Sequence, residues 1–229
     1  MSLFAVGLAI AGVSVTFSDD IKQRTLYLVF SKKVSRLQYL IGKWLGVMVA
    51  VFVGLVLIGL AFSVVLNLRE SAVLAEQIAL AEEAGVTGEV LQRLSFEIEA
   101  EGFQWALWWG VLAIFAKALV VGVLAIFMVC VSRSAIFAMG ATMFVVLIGM
   151  FQADAFSAMH FEGASGGVRI GAGLVALLFP DMQAYDALDW ASVMKPDAVL
   201  EMGRLGLRTA GYLFFYFGVS WLRFRSREL

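Results

Sequence analysis

Apolar residues fill this chain in long runs, and polar residues gather between them. Met1–Phe17, Leu40–Leu66, Trp105–Val131, Ala135–Phe151 and Gly203–Leu222 are nearly unbroken hydrophobic stretches. Runs close to the ~20 residues that carry a helix across a bilayer predict transmembrane helices. The pattern therefore predicts an all-α fold: a polytopic helical membrane protein of about five spans, forming one domain over residues 1–229.

The polar stretches carry their own patterns. Between the first two runs lies Ser18–Lys43, in which Ser35-Arg36-Leu37-Gln38 has the form of a capping box, with Ser35 and Gln38 each satisfying the other's backbone amide. That predicts a helix start at about Arg36. Upstream, Asp20–Phe30 predicts a separate helix with Asp19 and Asp20 at its positive end. Ile21, Thr25, Leu28 and Val29 share its apolar face, Lys22 and Arg24 turn toward water, and Ser31-Lys32-Lys33 makes an elbow. Two roles suit this coupling region, 18–39. It is either an interfacial anchor or a docking element for a cytoplasmic partner.

After the second run, Val73, Leu74, Ile78 and Ala81 recur with helical period, Gly85 supplies a stop and Thr87 a cap. Val90, Leu91, Leu94 and Ile98 then mark a second helix. Residues 67–104 thus predict an external amphipathic hairpin, either a solvated cap or a platform for substrate or partner. In the region 154–200, the apolar piece Val168–Phe179 stops at Pro180. It is too short for an ordinary span and predicts a re-entrant or interfacial helix.

Composition agrees with the run lengths. Hydrophobic residues make up 62% of the 229 and charged residues 15%, with a mean hydropathy of +0.90, outside the balance of soluble domains. Charge then gives an orientation. Ser18–Lys43 carries six basic residues against two acidic, and the tail from Arg223 carries three against one. The loop at Arg133 is also basic. Asn67–Gln104 has Arg69 and Arg93 against eight glutamates, and Asp154–Leu200 has Arg169 and Lys195 against six acidic residues. Basic loops mark the cytoplasmic side, so the carboxyl terminus is expected inside and the amino terminus outside. For the amino terminus two explanations stand: direct insertion as a five-span chain, or an upstream span that precedes Met1.

Candidate chemistry is sparse. Trp105, Trp108 and Trp109 suit an aromatic belt at the outer interface. Lys117 is a charge inside a span. It lies 16 residues from Arg133, about 24 Å along a helix, so it either snorkels to the outer headgroups or belongs to a pathway. Cys130 sits in an apolar run as a small hydrophobe, and His160 has no companions at metal-ligand spacing. The chain contains no phosphate-binding G-x-x-x-x-G-K-[ST] loop, no H-E-x-x-H and no G-x-S-x-G. The spans hold almost no carboxylates, which argues against an ion-coupled carrier. No catalytic role, resident cofactor, metal or nucleic-acid partner is expected.

The series Asp20-x4-Thr25-Leu26-x-Leu28-x2-Ser31-x2-Val34-Ser35-Arg36-x2-Tyr39-Leu40-x-Gly42-Lys43-x-Leu45-Gly46 resembles the signature of type-2 ABC exporter permeases, most of all the copper-enzyme-maturation branch. Leu178-Phe179-Pro180-Asp181 and the basic tail resemble the family more weakly, and Lys33 stands where the family usually has proline. The resemblance implies that this segment is a coupling helix seated on a separate ABC ATP-binding subunit, which would hold ATP and Mg. Asp20, Arg24, Thr25, Leu26, Leu28, Ser31, Ser35, Arg36, Tyr39, Gly42 and Lys43 would then form the docking and coupling site. It also implies a second permease chain (homo- or heterodimer), a multi-pass place in the plasma (inner) membrane, and a family first span missing ahead of Met1. Gly42 and Gly46 form a G-x-x-x-G, and Gly203, Gly206 and Gly211 suggest close packing in the last span. The competing expectation is a membrane scaffold or assembly factor that transports nothing.

Overall fold

The computed structural model describes residues 1–22, 35–83, 106–132, 134–152, 157, 165–167, 169–171, 173, 179–186 and 198–225. Among these the fold is all-helical, without a strand. Its long elements are α1 (Ser2–Lys22), α2 (Arg36–Glu83), α3 (Ala106–Val131), α4 (Ala135–Met150) and α5 (Ala198–Arg225), with a 3-10 turn at Gln183–Tyr185. Three are long and apolar enough to cross a membrane, over Ser2–Asp20, Arg36–Arg69 and Leu107–Val131. Apolar α4 is shorter, with 16 residues, and Arg208, Tyr212 and Tyr216 dilute the apolar run of α5.

Two predicted breaks are absent. Ser18 does not end the first helix, which continues through Asp19 and Asp20 to Lys22. The two aspartates therefore lie in the last turns of α1 rather than at the start of a new helix. There the helix dipole disfavours them, and Asp20 is compensated by side chains of α2. The second expected break, at the head of the external hairpin, is likewise missing. Asn67–Ser71 contains neither Gly nor Pro, and α2 runs on for 48 residues to Glu83. At ~1.5 Å per residue that is about 72 Å, more than twice the ~30 Å hydrocarbon core. The predicted hairpin turn at Gly85–Thr87, its second helix, and most of 154–178 lie outside the described residues.

Helix α3 is the centre of the bundle and packs against α1, α2, α4 and α5. Of its apolar window 67% is buried, against 17% for α2. The two windows are about equally apolar, so the difference lies in position: α3 is surrounded by four helices, whereas α2 buries a single stripe. On α1 the buried stripe is Ala5, Ala9, Val13 and Phe17, and on α2 it is Leu40, Trp44, Met48, Val51 and Leu55. Both follow the three- and four-residue spacing of one helix face.

Three glycines set close approaches. A Cβ on Gly12 would stand 2.9 Å from Val47 Cγ1, one on Gly122 2.6 Å from Met48 Cε, and one on Gly149 2.5 Å from the Pro180 carbonyl oxygen. The glycines singled out in the sequence behave differently. Gly42, Gly46, Gly203, Gly206 and Gly211 would each meet nothing within 4 Å, so their close-packing role is corrected for contacts within the chain.

Candidate functional site

Thr16, Phe17 and Asp20 project from the last turns of α1, and Tyr39 and Lys43, one turn apart, from the first turns of α2. This near end of the bundle gathers one of two clusters of polar contacts among the described residues. Lys43 pairs with Asp20, and the Tyr39 hydroxyl donates to the same carboxylate oxygen. The Lys43 ammonium also donates to the Thr16 carbonyl at 2.7 Å. It lies 5.5 Å from the centre of the Phe17 ring and 5.7 Å from that of Tyr39, while the two rings meet edge-on at 5.8 Å. The ammonium is thus held by a carboxylate, a main-chain carbonyl and two aromatic faces.

The start of α2 is fixed as firmly. The predicted capping box is present: the Ser35 N–H donates to Gln38 Oε1 at 3.0 Å, and the Gln38 N–H to Ser35 Oγ at 3.2 Å. Arg36 Nη1 then reaches across the bundle to the Arg225 carbonyl at the end of α5, 2.9 Å away. About two turns deeper, Trp44 packs edge-on against Phe217 of α5 at 5.1 Å. Among the described residues the Trp44 indole N–H is buried without a hydrogen bond, as are the hydroxyls of Ser14 and Ser220.

The far end is built around residues 179–186. The Met182 N–H donates to the Gly149 carbonyl at 3.1 Å and Gln183 Nε2 to the Met150 carbonyl at 2.6 Å, which fastens the segment to α4. Asp181 caps the 3-10 turn by accepting the N–H groups of Gln183 and Ala184 at 3.1 and 3.2 Å. Thr209 of α5 donates to the Leu205 carbonyl, so the Tyr185 hydroxyl donates to Thr209 Oγ1, at 3.0 Å. Burial pushes the Tyr185 phenol up to about 12, so it stays a neutral donor. Lys117 of α3 is only 4% exposed and makes no hydrogen bond or ion pair among the described residues. The carboxylates whose charges bear on it are Asp186 and Asp181. The side chain is thus enclosed by protein.

Of the eleven predicted docking residues, Asp20, Tyr39 and Lys43 come together and bind one another, Ser35 caps α2, and Arg36 ties α2 to α5. Gly42 is open. Arg24, Thr25, Leu26, Leu28 and Ser31 lie outside the described residues, as does His160. Thr16, Phe17 and Arg225 were not singled out in the sequence. Thr16 and Asp20 are four apart, as are Tyr39 and Lys43, and this matched spacing on two flanking helices is the signal that could have found the cluster. Among the described residues, no group of His, Cys, Asp and Glu is arranged to hold a metal ion.

The fold defines a helical bundle whose apolar helices suit a membrane. No family model, curated protein or solved structure matches the chain.

Proposed function

We propose that this chain is the permease subunit of an ABC-type exporter, resident in the plasma membrane with a cytoplasmic carboxyl terminus, and served by a separate ATP-binding subunit. The full assembly would hold two permease chains, with five spans in the part given by this sequence. The observation that carries the reading is the bracing on both sides of residues 23–34. On one side stands Asp20 and on the other Tyr39 and Lys43, bound to each other, with Arg36 tied to α5. A push on the intervening loop would be delivered to α1, α2 and α5 together instead of being lost in a slack hinge. Loop displacement would thus become rigid-body movement of helices, as mechanical coupling requires. ATP and Mg would be held by the partner, and this chain would supply the lever and the pathway wall.

The test is to place charge on the face expected to dock. Thr25→Glu with Leu28→Glu should abolish co-purification with the ATPase encoded beside the chain while membrane insertion is retained. Co-purification at the wild-type level would sink the reading.

A scaffold or assembly role has one observation in its favour, the continuation of α2 from Arg69 to Glu83 beyond its apolar window. Such a projection suits a platform for an exported protein. The absence of a P-loop ATPase from the neighbouring coding sequence, wherever the chain occurs, would favour that role.

A further inference from the structure

The apolar height of the bundle differs from side to side. The apolar windows of α2 and α3 run for 34 and 25 residues, about 51 and 37 Å along the helix. Helix α4 has 16 residues, about 24 Å. It is bounded at one end by Ser134, whose N–H donates to Ser132 Oγ at 3.1 Å, and at the other by the break at Phe151. On α5, residues 209–222 are the uncharged stretch between Arg208 and Arg223, both exposed. Those fourteen residues cover about 21 Å.

The outer limits of α4 and α5 stand at one level, because residues 179–186 are fastened to both. Met182 and Gln183 bond the carbonyls of Gly149 and Met150 on α4. Tyr185 donates to Thr209 of α5, and the Asp181 N–H to the Tyr212 hydroxyl at 3.4 Å. Gln183 and Asp186 of this segment are exposed. Toward the near end the same two helices turn apolar side chains outward, with Ile136 at 82%, Phe144 at 65% and Phe214 at 85% exposure. An outward apolar band thus lies between two polar borders, about 21–24 Å tall against ~30 Å for a hydrocarbon core.

Few remedies exist for a band that is too short. Tilting lowers its projected height and enlarges the deficit. Snorkelling suits the long side chain of Arg208, but Asp186 is short and the Gln183 amide is bonded to the Met150 carbonyl. Either the bilayer yields or a second copy covers the band. The charges favour lipid: Arg208 at one border and Arg223 at the other complement the phosphates of the two leaflets. A twofold partner would instead set the same arginines face to face.

We infer that the face formed by α4, residues 179–186 and α5 holds a locally thinned bilayer, so that phospholipid chains of shorter reach lie against it than against α2. A polar group crossing beside this face would meet about one fifth less hydrocarbon. Only membrane residence is required. The exporter reading is tested by co-purification with the ATPase and the thinned face by depth, so each can fail without the other.

Nitroxide labels on the full chain in vesicles of dioleoyl phosphatidylcholine read that depth, while buried Cys130 stays unlabelled. Phe151→Cys probes the outward side of the end of α4, and Asp186→Cys the polar border. Val49→Cys, within the apolar window of α2 and 60% exposed, supplies the hydrocarbon reference. Electron paramagnetic resonance should find Phe151→Cys and Asp186→Cys several-fold more accessible to a water-soluble nickel chelate than Val49→Cys, and less accessible to oxygen. Oxygen-dominated signals at both sites would mean an unthinned bilayer and overturn the assignment. A chelate-accessible site at 186 beside an oxygen-accessible site at 151 would overturn it too, because water would then fill a cleft while the lipid stayed at full thickness. Protection of both sites from both reagents would put a second copy on the face and likewise overturn it.

Discussion

Lys43 and Lys117 lie on neighbouring helices of one bundle and meet opposite surroundings. Lys43 is held by Asp20, the Thr16 carbonyl and two aromatic rings, all projecting from rigid helix ends. Lys117 is more deeply enclosed and has no direct partner among the described residues, only the more distant charges of Asp186 and Asp181. The difference lies in what faces each ammonium. Two antiparallel helices with matched four-residue spacings place donors and acceptors in register, so the near end satisfies its charge and locks. At the far end the neighbouring carboxylates come from a short segment. One of them, Asp181, already uses an oxygen to cap its own turn. A fixed joint and an unsatisfied charge are thus separated along the same bundle.

The largest test of this contrast is Lys43→Met. It leaves Asp20 in a last turn where the helix dipole is unfavourable, and the cost should be about 2–3 kcal/mol. That falls below the ~3–5 kcal/mol of a fully buried broken pair because the two side chains are 17% and 28% exposed. Thermal unfolding in detergent should show the loss, and the double variant Asp20→Asn with Lys43→Met should recover part of it. Equal midpoints for Lys43→Met and wild type would mean that the near end is not locked by this pair. Next in size is Gly149→Ala at the far end. Its Cβ would press on the Pro180 carbonyl at 2.5 Å and Met182 Cγ at 3.0 Å, and main chain cannot swing aside. About 2 kcal/mol is expected. Gly122→Ala meets chiefly the mobile end of Met48 and should cost less, ~1 kcal/mol. A reversal of that order would show that residues 179–186 yield more easily than their hydrogen bonds to α4 indicate.

How much of this was legible in the sequence depends on the range of the interaction. The all-helical class and the long apolar helices follow from apolar run length, and the Ser35–Gln38 box follows from a four-residue pattern. These are local signals, and the structure carries them. The continuation of α1 through Asp19 and Asp20 was hidden because acidic residues also suit a helix start. The approach of Lys43 and Tyr39, distant in sequence, explains the tolerance of Asp20 in a last turn. Docking residues were grouped by nearness along the chain, whereas Asp20, Tyr39 and Lys43 are grouped by mutual contact. Glycine patterning misled for the same reason. Gly42 and Gly46 have the familiar spacing but face open space, while Gly12, Gly122 and Gly149 belong to no pattern and make the close approaches. Which face of a helix meets a neighbour is a tertiary property, and spacing within one helix does not encode it. Arg36 reaching Arg225 is the extreme case.

Lys117 gives a smaller effect of opposite sign. Replacement by Met keeps the length of the chain and removes an ammonium that no hydrogen bond supports. Stability should therefore stay level or rise, by up to about 1 kcal/mol, and the unfolding midpoint with it. A clear loss would show that Asp186 and Asp181 act as true partners, and the contrast with Lys43 would shrink to a matter of distance. The finest test asks whether Lys117 communicates with residues 179–186 at all. Tyr185→Phe removes the donor to Thr209 but leaves Thr209 bonded to the Leu205 carbonyl, so its cost should sit near ~0.5–1 kcal/mol, the low end for a buried hydrogen bond. Combined with Lys117→Met, the two effects should add within ~0.3–0.5 kcal/mol if the segment is held only by α4 and α5. A larger deviation would mean that the buried charge helps seat the segment through its aspartates. Lys117 would then have a structural partner after all, one that acts across a gap wider than an ion pair.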